Sequence, residues 1–306
     1  MALAEYTVND PRMRDLTIGS AHLVQIDNSS LWAEGPVYFP GGDYLLWSDI
    51  PANRIMQWVD GAGVRVYSHA SNNANGNTRD RLGGRVTCEH LTRAVVRFGP
   101  DGDRSVIADA FDGKPLNSPN DVVVASDGAI WFTDPDYGIM CDYEGKRSRS
   151  VQPGCFVYRV DPDTGAAEAK IKTMLKPNGL AFSPDESILY VADSSASHDE
   201  DAHRHVMAFP VGPDGDVGQG SVLIAFEQGV PDGLRLDEFG NLWVSSARGV
   251  EVHAPDGTHL GTVHVPETVS NLTFGGPKNN RLFITATTSV YAVYTAVCGA
   301  TWPAGK

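Results

Sequence analysis

Six polar residues stand at the head of a recurring phrase in this chain, and each carries a side-chain oxygen. They are Glu34, Asn75, Asn120, Asn178, Asp232 and Asn271. Carboxylate and amide oxygens gathered at one point suit a hard divalent cation: Ca²⁺ first, with Mg²⁺, Mn²⁺ or Zn²⁺ as the alternatives. A Cys and His set would have pointed to zinc instead. Ca²⁺ takes six to eight oxygens, so three or four protein ligands leave room for water and a substrate. That open coordination is what a catalytic metal requires. Asn and Asp before Gly also form turns, and one isolated copy reads that way. Six copies in register read as an axis on which oxygens converge.

The phrase has a constant grammar. A polar residue is followed by a short apolar strand, a turn of Gly, Asp or Pro, and a second strand of β-branched and aromatic residues. Asn178 opens Asn-Gly-Leu-Ala-Phe-Ser-Pro-Asp-Glu-Ser-Ile-Leu-Tyr-Val-Ala-Asp, and Asp232 opens Asp-Gly-Leu-Arg-Leu-Asp-Glu-Phe-Gly-Asn-Leu-Trp-Val-Ser-Ser. This is a hairpin signal. The copy at Asn75 lacks the apolar alternation of the others. Recurrence about every 40 to 60 residues corresponds to one four-stranded unit. Six such units predict an all-β chain, a six-bladed β-propeller with four-stranded antiparallel blades closed into a ring. The segment 15–26 is expected to close the ring as an outer strand beside Ser289 to Val297. With no linker or break in composition, residues 1–306 read as one domain.

In such a blade the first strand is innermost, so its opening residue lies at one rim of the central channel. The loop after the second strand returns to that rim. Two of these loops are long. Residues 135–154 carry Tyr137, Met140, Tyr143 and Arg147; residues 194–204 carry His198, Asp199, Glu200, Asp201 and His203. Long loops on a rigid scaffold carry specificity, and these are expected to wall the pocket. The His and Asp residues of 198–205 read either as a solvated tip or as a second metal cluster. His90, after Thr87-Cys88-Glu89, reads as a proton shuttle or substrate contact near neutral pH, or as a hydrogen-bonded rim histidine.

Composition narrows the classes. The formal net charge is −14, which repels nucleic acid and anionic lipid. No basic stripe offsets it. The N-terminal residues lack the basic and apolar regions of a secretory leader, and no run of about 18 apolar residues could span a membrane. A cytoplasmic protein is the expectation. The cysteines, Cys88, Cys141, Cys155 and Cys298, form no Cys-x-x-Cys pair. Cys141 and Cys155 could bridge within one loop, but free thiols fit that compartment better.

The ordered phrases Trp32-Ala33-Glu34-Gly35-Pro36, Thr87-Cys88-Glu89-His90, Leu116-Asn117-Ser118-Pro119-Asn120-Asp121, Phe132-Thr133-Asp134-Pro135, Lys176-Pro177-Asn178-Gly179-Leu180, Pro231-Asp232-Gly233-Leu234 and Ser270-Asn271-Leu272-Thr273-Phe274 resemble the gluconolactonase, senescence marker protein and luciferin-regenerating family of six-bladed propellers. The resemblance runs from about Leu23 to Thr288. It implies a metal held by Glu34, Asn178 and Asp232, and a substrate contact at Asn120. One departure is Asn77, where Asn-Gly-Leu-Thr is usual and Asn-Gly-Asn-Thr stands. It puts the packing of the second blade in question.

The expected activity is metal-dependent hydrolysis of a small lactone, most readily a sugar lactone. The cation would act as a Lewis acid on the carbonyl. Asp232 would be both ligand and candidate base, and Asn120 and Asn178 would orient the substrate. Asn75, Asn271, His90 and Tyr137 complete the expected substrate contacts. No Gly-x-Ser-x-Gly elbow, P-loop or dinucleotide fingerprint competes. Two alternatives stay open: a propeller esterase or phosphotriesterase acting on another ester, and a non-catalytic propeller that binds Ca²⁺ or a protein. Oligomeric state is not legible.

Overall fold

A computed structural model describes residues 2–301. The ends of the expected 1–306 unit, residue 1 and 302–306, lie outside the described residues. Six antiparallel sheets stand around an axis. The innermost strands are Ala33–Phe39, Ala74–Arg79, Val122–Val124, Pro177–Phe182, Leu234–Leu236 and Val269–Gly275. Each contacts the innermost strand of the next blade, and the sixth contacts the first, so the ring closes.

Closure follows the sequence expectation with a shifted boundary. The closing strand is His22–Asp27, paired antiparallel to Ser289–Tyr294. The front of the expected 15–26 segment is not strand. Met13–Leu16 forms one helical turn whose Met13 and Leu16 are buried among the fifth and sixth blades. Upstream, Tyr6–Val8 adds an edge strand to the fifth blade and Ala2–Leu3 pairs with His22 and Leu23.

The core is divided among the blade interfaces. Among the described residues six apolar clusters occur, one between each adjacent pair of blades. That follows from strands whose two faces are both covered: each blade presents one apolar face forward and one backward. The cluster between the first and second blades is small, with Val37, Leu46, Ile55 and Ala74 buried in it. This is where Asn77 stands. Its amide donates to the carbonyl of Gly35, to Ser48 Oγ and to the carbonyl of Asn75, each at 2.9 Å. Its Oδ1 accepts from Thr87 Oγ1 at 2.9 Å. The departure at Asn77 therefore replaces apolar packing by a satisfied buried network. All four cysteines are free thiols, Cys141 and Cys155 included. Among the described residues no helix is long and apolar enough to cross a membrane.

Candidate active site on the propeller axis

Two local devices aim the six opening residues at the axis. The first is a bulge. In blades one, two, four and six the ladder between first and second strands slips at the opening residue, between Glu34 and Val37, Ala74 and Asn77, Pro177 and Leu180, and Val269 and Asn271. A bulge leaves residues unpaired and turns their side chains out of the pleat. In blades three and five the first strand starts two residues after Asn120 and Asp232. The backbone groups thus freed are taken by hydroxyls of the second strands: Ser245 Oγ accepts from the Asp232 amide at 2.9 Å, and Thr285 Oγ1 donates to the Asn271 carbonyl at 3.1 Å.

The second device is an acid at the end of the second strand. Asp49, Asp134 and Asp193 are fully buried. Asp49 accepts from the amides of Leu31 and Trp32, Asp134 from Asn117, and Asp193 from Leu175 and Lys176. Each acid therefore fixes the segment that leads into Glu34, Asn120 or Asn178.

Close approach of neighbouring first strands completes the ring. The residue after the opener is glycine in four blades. A Cβ on Gly35 would lie 2.1 Å from the Asn75 carbonyl oxygen, and one on Gly233 would lie 2.1 Å from Asn271 Cγ. Only hydrogen fits there.

These constraints bury the openers together. Glu34 Oε2 accepts from Asn271 Nδ2 at 3.1 Å across 237 residues of chain, and from its neighbour Gly35 N at 2.6 Å. Asn178 donates a hydrogen bond to Asp232. Asp232 is enclosed yet keeps part of its surface open to the channel. Burial, reinforced by the charges of Asp121 and Glu144, pushes the Glu34 carboxyl up to about 8. Burial and the charge of Glu34 push Asp232 well above the ordinary carboxylate range. Both carboxyls are raised first by burial and then by neighbouring acids, and no cationic side chain is among the causes that act on either. Beneath them Asp121 faces Arg235 at 3.4 Å, bridging the third and fifth blades across the channel.

The remaining expected residues divide. Asn75 and Asn120 are buried at the rim with the others. His90 is fully buried, and burial lowers its imidazole to about 4. Burial therefore favours its neutral form. Its Nδ1 donates to the Glu144 carbonyl at 2.9 Å, so Nε2 accepts from Asn75 Nδ2 at 3.3 Å. His90 thereby orients Asn75. Tyr137 begins a single helical turn, Tyr137–Met140, and its hydroxyl contacts the Ser194 carbonyl at 3.3 Å and Ser197 Oγ at 3.5 Å. Burial raises its phenol, and the charge of Asp232 adds to this, so the ring borders the axial site. His198 packs on Tyr137 at 5.5 Å and Lys176 Nζ lies over it at 5.0 Å. The two long loops thus meet at Tyr137. Within them Met140, Tyr143, Arg147, Asp199, Glu200 and Asp201 are exposed, and the half-exposed His203 lies 3.4 Å from the buried Asp193.

The sequence reading missed two residues. Glu144 sits in the 135–154 loop with its carboxyl raised by burial, and its charge reaches both Glu34 and Asp232. A lone acid in a loop of mixed residues gives no periodic signal. Asp121 carried one: it stands where four other copies have Gly.

The family described as SMP-30/Gluconolactonase/LRE-like region matches residues 32–288. The chain belongs to this family. A gluconolactonase of Zymomonas mobilis is 32% identical, over 97% of this chain and 88% of that protein. A pentonolactonase of Haloferax volcanii is 28% identical, over 85% of this chain and 83% of that protein. The solved structure of a gluconolactonase from Xanthomonas campestris, 34% identical, superposes with a TM-score of 0.88 over 96% of both chains.

Proposed function

We propose that the protein is a lactonase that opens small sugar lactones at the axial site, with one divalent cation held by Glu34, Asn178 and Asp232. The observation that supports this most strongly is the pair of enclosed carboxyls, Glu34 and Asp232, each raised with the charge of the other axial acids contributing. The donors are oxygen only, which fits Ca²⁺ and, with fewer ligands, Mg²⁺ or Mn²⁺. A bound cation would supply Lewis-acid polarisation of the lactone carbonyl.

The chain's own residues do the rest. Asn120 and Asn75 present amide groups to the hydroxyls of the substrate, and His90 holds Asn75 in place. Tyr137, with His198 against it, forms an aromatic wall for one face of the sugar ring. Asp232 takes the proton of the attacking water at its carboxylate. Glu144, whose carboxyl is raised by burial, returns a proton to the departing ring oxygen. Asn271 is spent on Glu34 and positions that carboxylate rather than touching substrate. The Asp121–Arg235 pair closes the channel below, so substrate enters from the rim with the long loops.

A panel of aldonolactones, aliphatic lactones, aryl esters and a phosphotriester, assayed with and without chelator, tests the reading. Chelator-sensitive turnover of aldonolactones above the rest is expected. Preference for an aryl ester or phosphotriester would overturn the substrate assignment, and metal uptake with no turnover would overturn the enzymatic one.

A further inference from the structure

Far from the axis, the fifth blade carries a second cluster of ligating side chains. Its third strand, Gly249–His253, places Glu251 and His253 two residues apart and so on one face. Its fourth strand opens at His259, directly opposite His253. The two imidazoles stack with centroids 4.6 Å apart and planes 16° from parallel. Glu251 Oε2 lies 3.4 Å from His253 Nε2 and 3.8 Å from His259 Nε2. One ligating atom from each residue falls within 4.8 Å of the other two.

The hydrogen bonding of His253 is what points to a ligand. Its side chain is only 5% exposed. Nδ1 donates to the Gly257 carbonyl at 3.3 Å, which leaves a lone pair on Nε2. Nε2 is buried and has no hydrogen-bond partner among the described residues. A buried ring nitrogen 3.4 Å from a carboxylate oxygen needs a cation between them, either a proton or a metal ion. An imidazole whose far nitrogen is tied to a backbone carbonyl is also the usual arrangement of a metal-bound histidine.

His259 is the adjustable member. It stands on the fourth strand opposite His253, with its Nε2 3.8 Å from Glu251 Oε2. Its Nε2 now contacts the Gly261 carbonyl at 3.0 Å and Thr262 Oγ1 at 3.3 Å, and its Nδ1 meets the Asn9 amide at 3.1 Å. Ligation moves the Nε2 proton to Nδ1, and a rotated Asn9 amide then accepts it through its oxygen. The ring is 36% exposed and has room for this. Beside the cluster lies a cleft of about 340 Å³, bordered by Leu223, Phe226, Gln228 and Arg248. Arg248 is tied to Gln228 at 2.8 Å.

We propose that Glu251, His253 and His259 form a second metal site, selective for Zn²⁺ or a similar first-row ion, with the cleft supplying water as a further ligand. Two imidazoles and one carboxylate suit zinc, whereas the axial oxygens suit Ca²⁺ or Mg²⁺. The ion would clamp the third and fourth strands where their register slips between Val252 and His253.

The test uses full-length protein stripped with chelator, in an Asp232→Asn background that disables the axial cage. Zn²⁺ is titrated by calorimetry, and Co²⁺ is followed by its visible absorption. One equivalent of Zn²⁺ is expected, with a Co²⁺ spectrum of a four-coordinate nitrogen and oxygen site. Adding His253→Gln or Glu251→Gln should weaken Zn²⁺ at least 100-fold. His253→Gln alone should keep wild-type lactone turnover in Ca²⁺, which also shows that it folds. If it does not fold, Glu251→Gln and His259→Gln carry the comparison. No Zn²⁺ binding in the Asp232→Asn protein, or equal binding after loss of Glu251 and of His253, overturns the proposal.

Discussion

Removing the axial cation should make stability depend on pH through Glu34, in a direction opposite to that of most carboxylates. The ordinary value for glutamate is 4.5 and the buried Glu34 lies at about 8. Because the folded value lies above the unfolded one, this contribution to stability is complete below 4.5. It is lost as pH rises toward 8. The difference corresponds to a ceiling of roughly 5 kcal/mol, at ~1.4 kcal/mol per tenfold in proton affinity. For a chain of 306 residues, unfolding entropy near ~0.6 kcal/mol per degree turns that ceiling into a Tm shift of ~8 °C. Other groups titrate in the same range, Asp134 at about 7 among them. The informative quantity is therefore the difference between wild type and Glu34→Gln, both with excess chelator, by calorimetry from about pH 5.5 to about pH 8.5. Glu34→Gln should gain several degrees on wild type as pH rises, and saturating Ca²⁺ should reverse the order at high pH. Equal Tm values for the two proteins across the range would refute the reasoning.

Three further outcomes are expected. Gly233→Ala drives a Cβ onto Asn271, breaking its bond to Glu34; turnover should fall at least ~100-fold, with ~1–3 kcal/mol of destabilisation by denaturant unfolding. Asn77→Leu restores the residue usual in the family yet strips partners from Gly35, Asn75 and Thr87; it should destabilise by ~1–3 kcal/mol, and a gain in stability would show that the apolar term dominates. His90→Gln should lower turnover by releasing Asn75 but leave the shape of the pH–rate profile unchanged between about pH 5.5 and pH 8, because the imidazole is neutral throughout that range.

What the sequence made legible was whatever repeats. Six openers, six hairpins and a closing outer strand were readable because each copy confirmed the register of the others. The placing of all six openers at one rim followed from that register, whereas singling out Glu34, Asn178 and Asp232 among them rested on the family resemblance. Asp49, Asp134 and Asp193 recur as well, but their task is visible only in the amides they bind two or three residues before each opener. His90 was ambiguous because its titration depends on burial, which its neighbours in sequence do not encode. Glu144 was invisible because a long loop has no period, and its approach to Glu34 is set by His90 gripping its carbonyl. The start of the closing strand was misplaced because residues 15 and 16 end a helical turn, Met13–Leu16, and the strand begins only at His22.

The central claim is that one ion is shared by Glu34, Asn178 and Asp232 and that lactone opening depends on it. The most direct test is calorimetric Ca²⁺ titration of stripped protein alongside aldonolactone turnover of the same samples, for wild type, Glu34→Gln, Asn178→Ala and Asp232→Asn. One Ca²⁺ per chain in wild type is predicted, with affinity and turnover falling together in all three variants. Full turnover in wild type from which Ca²⁺ and all other divalent ions have been removed would contradict it.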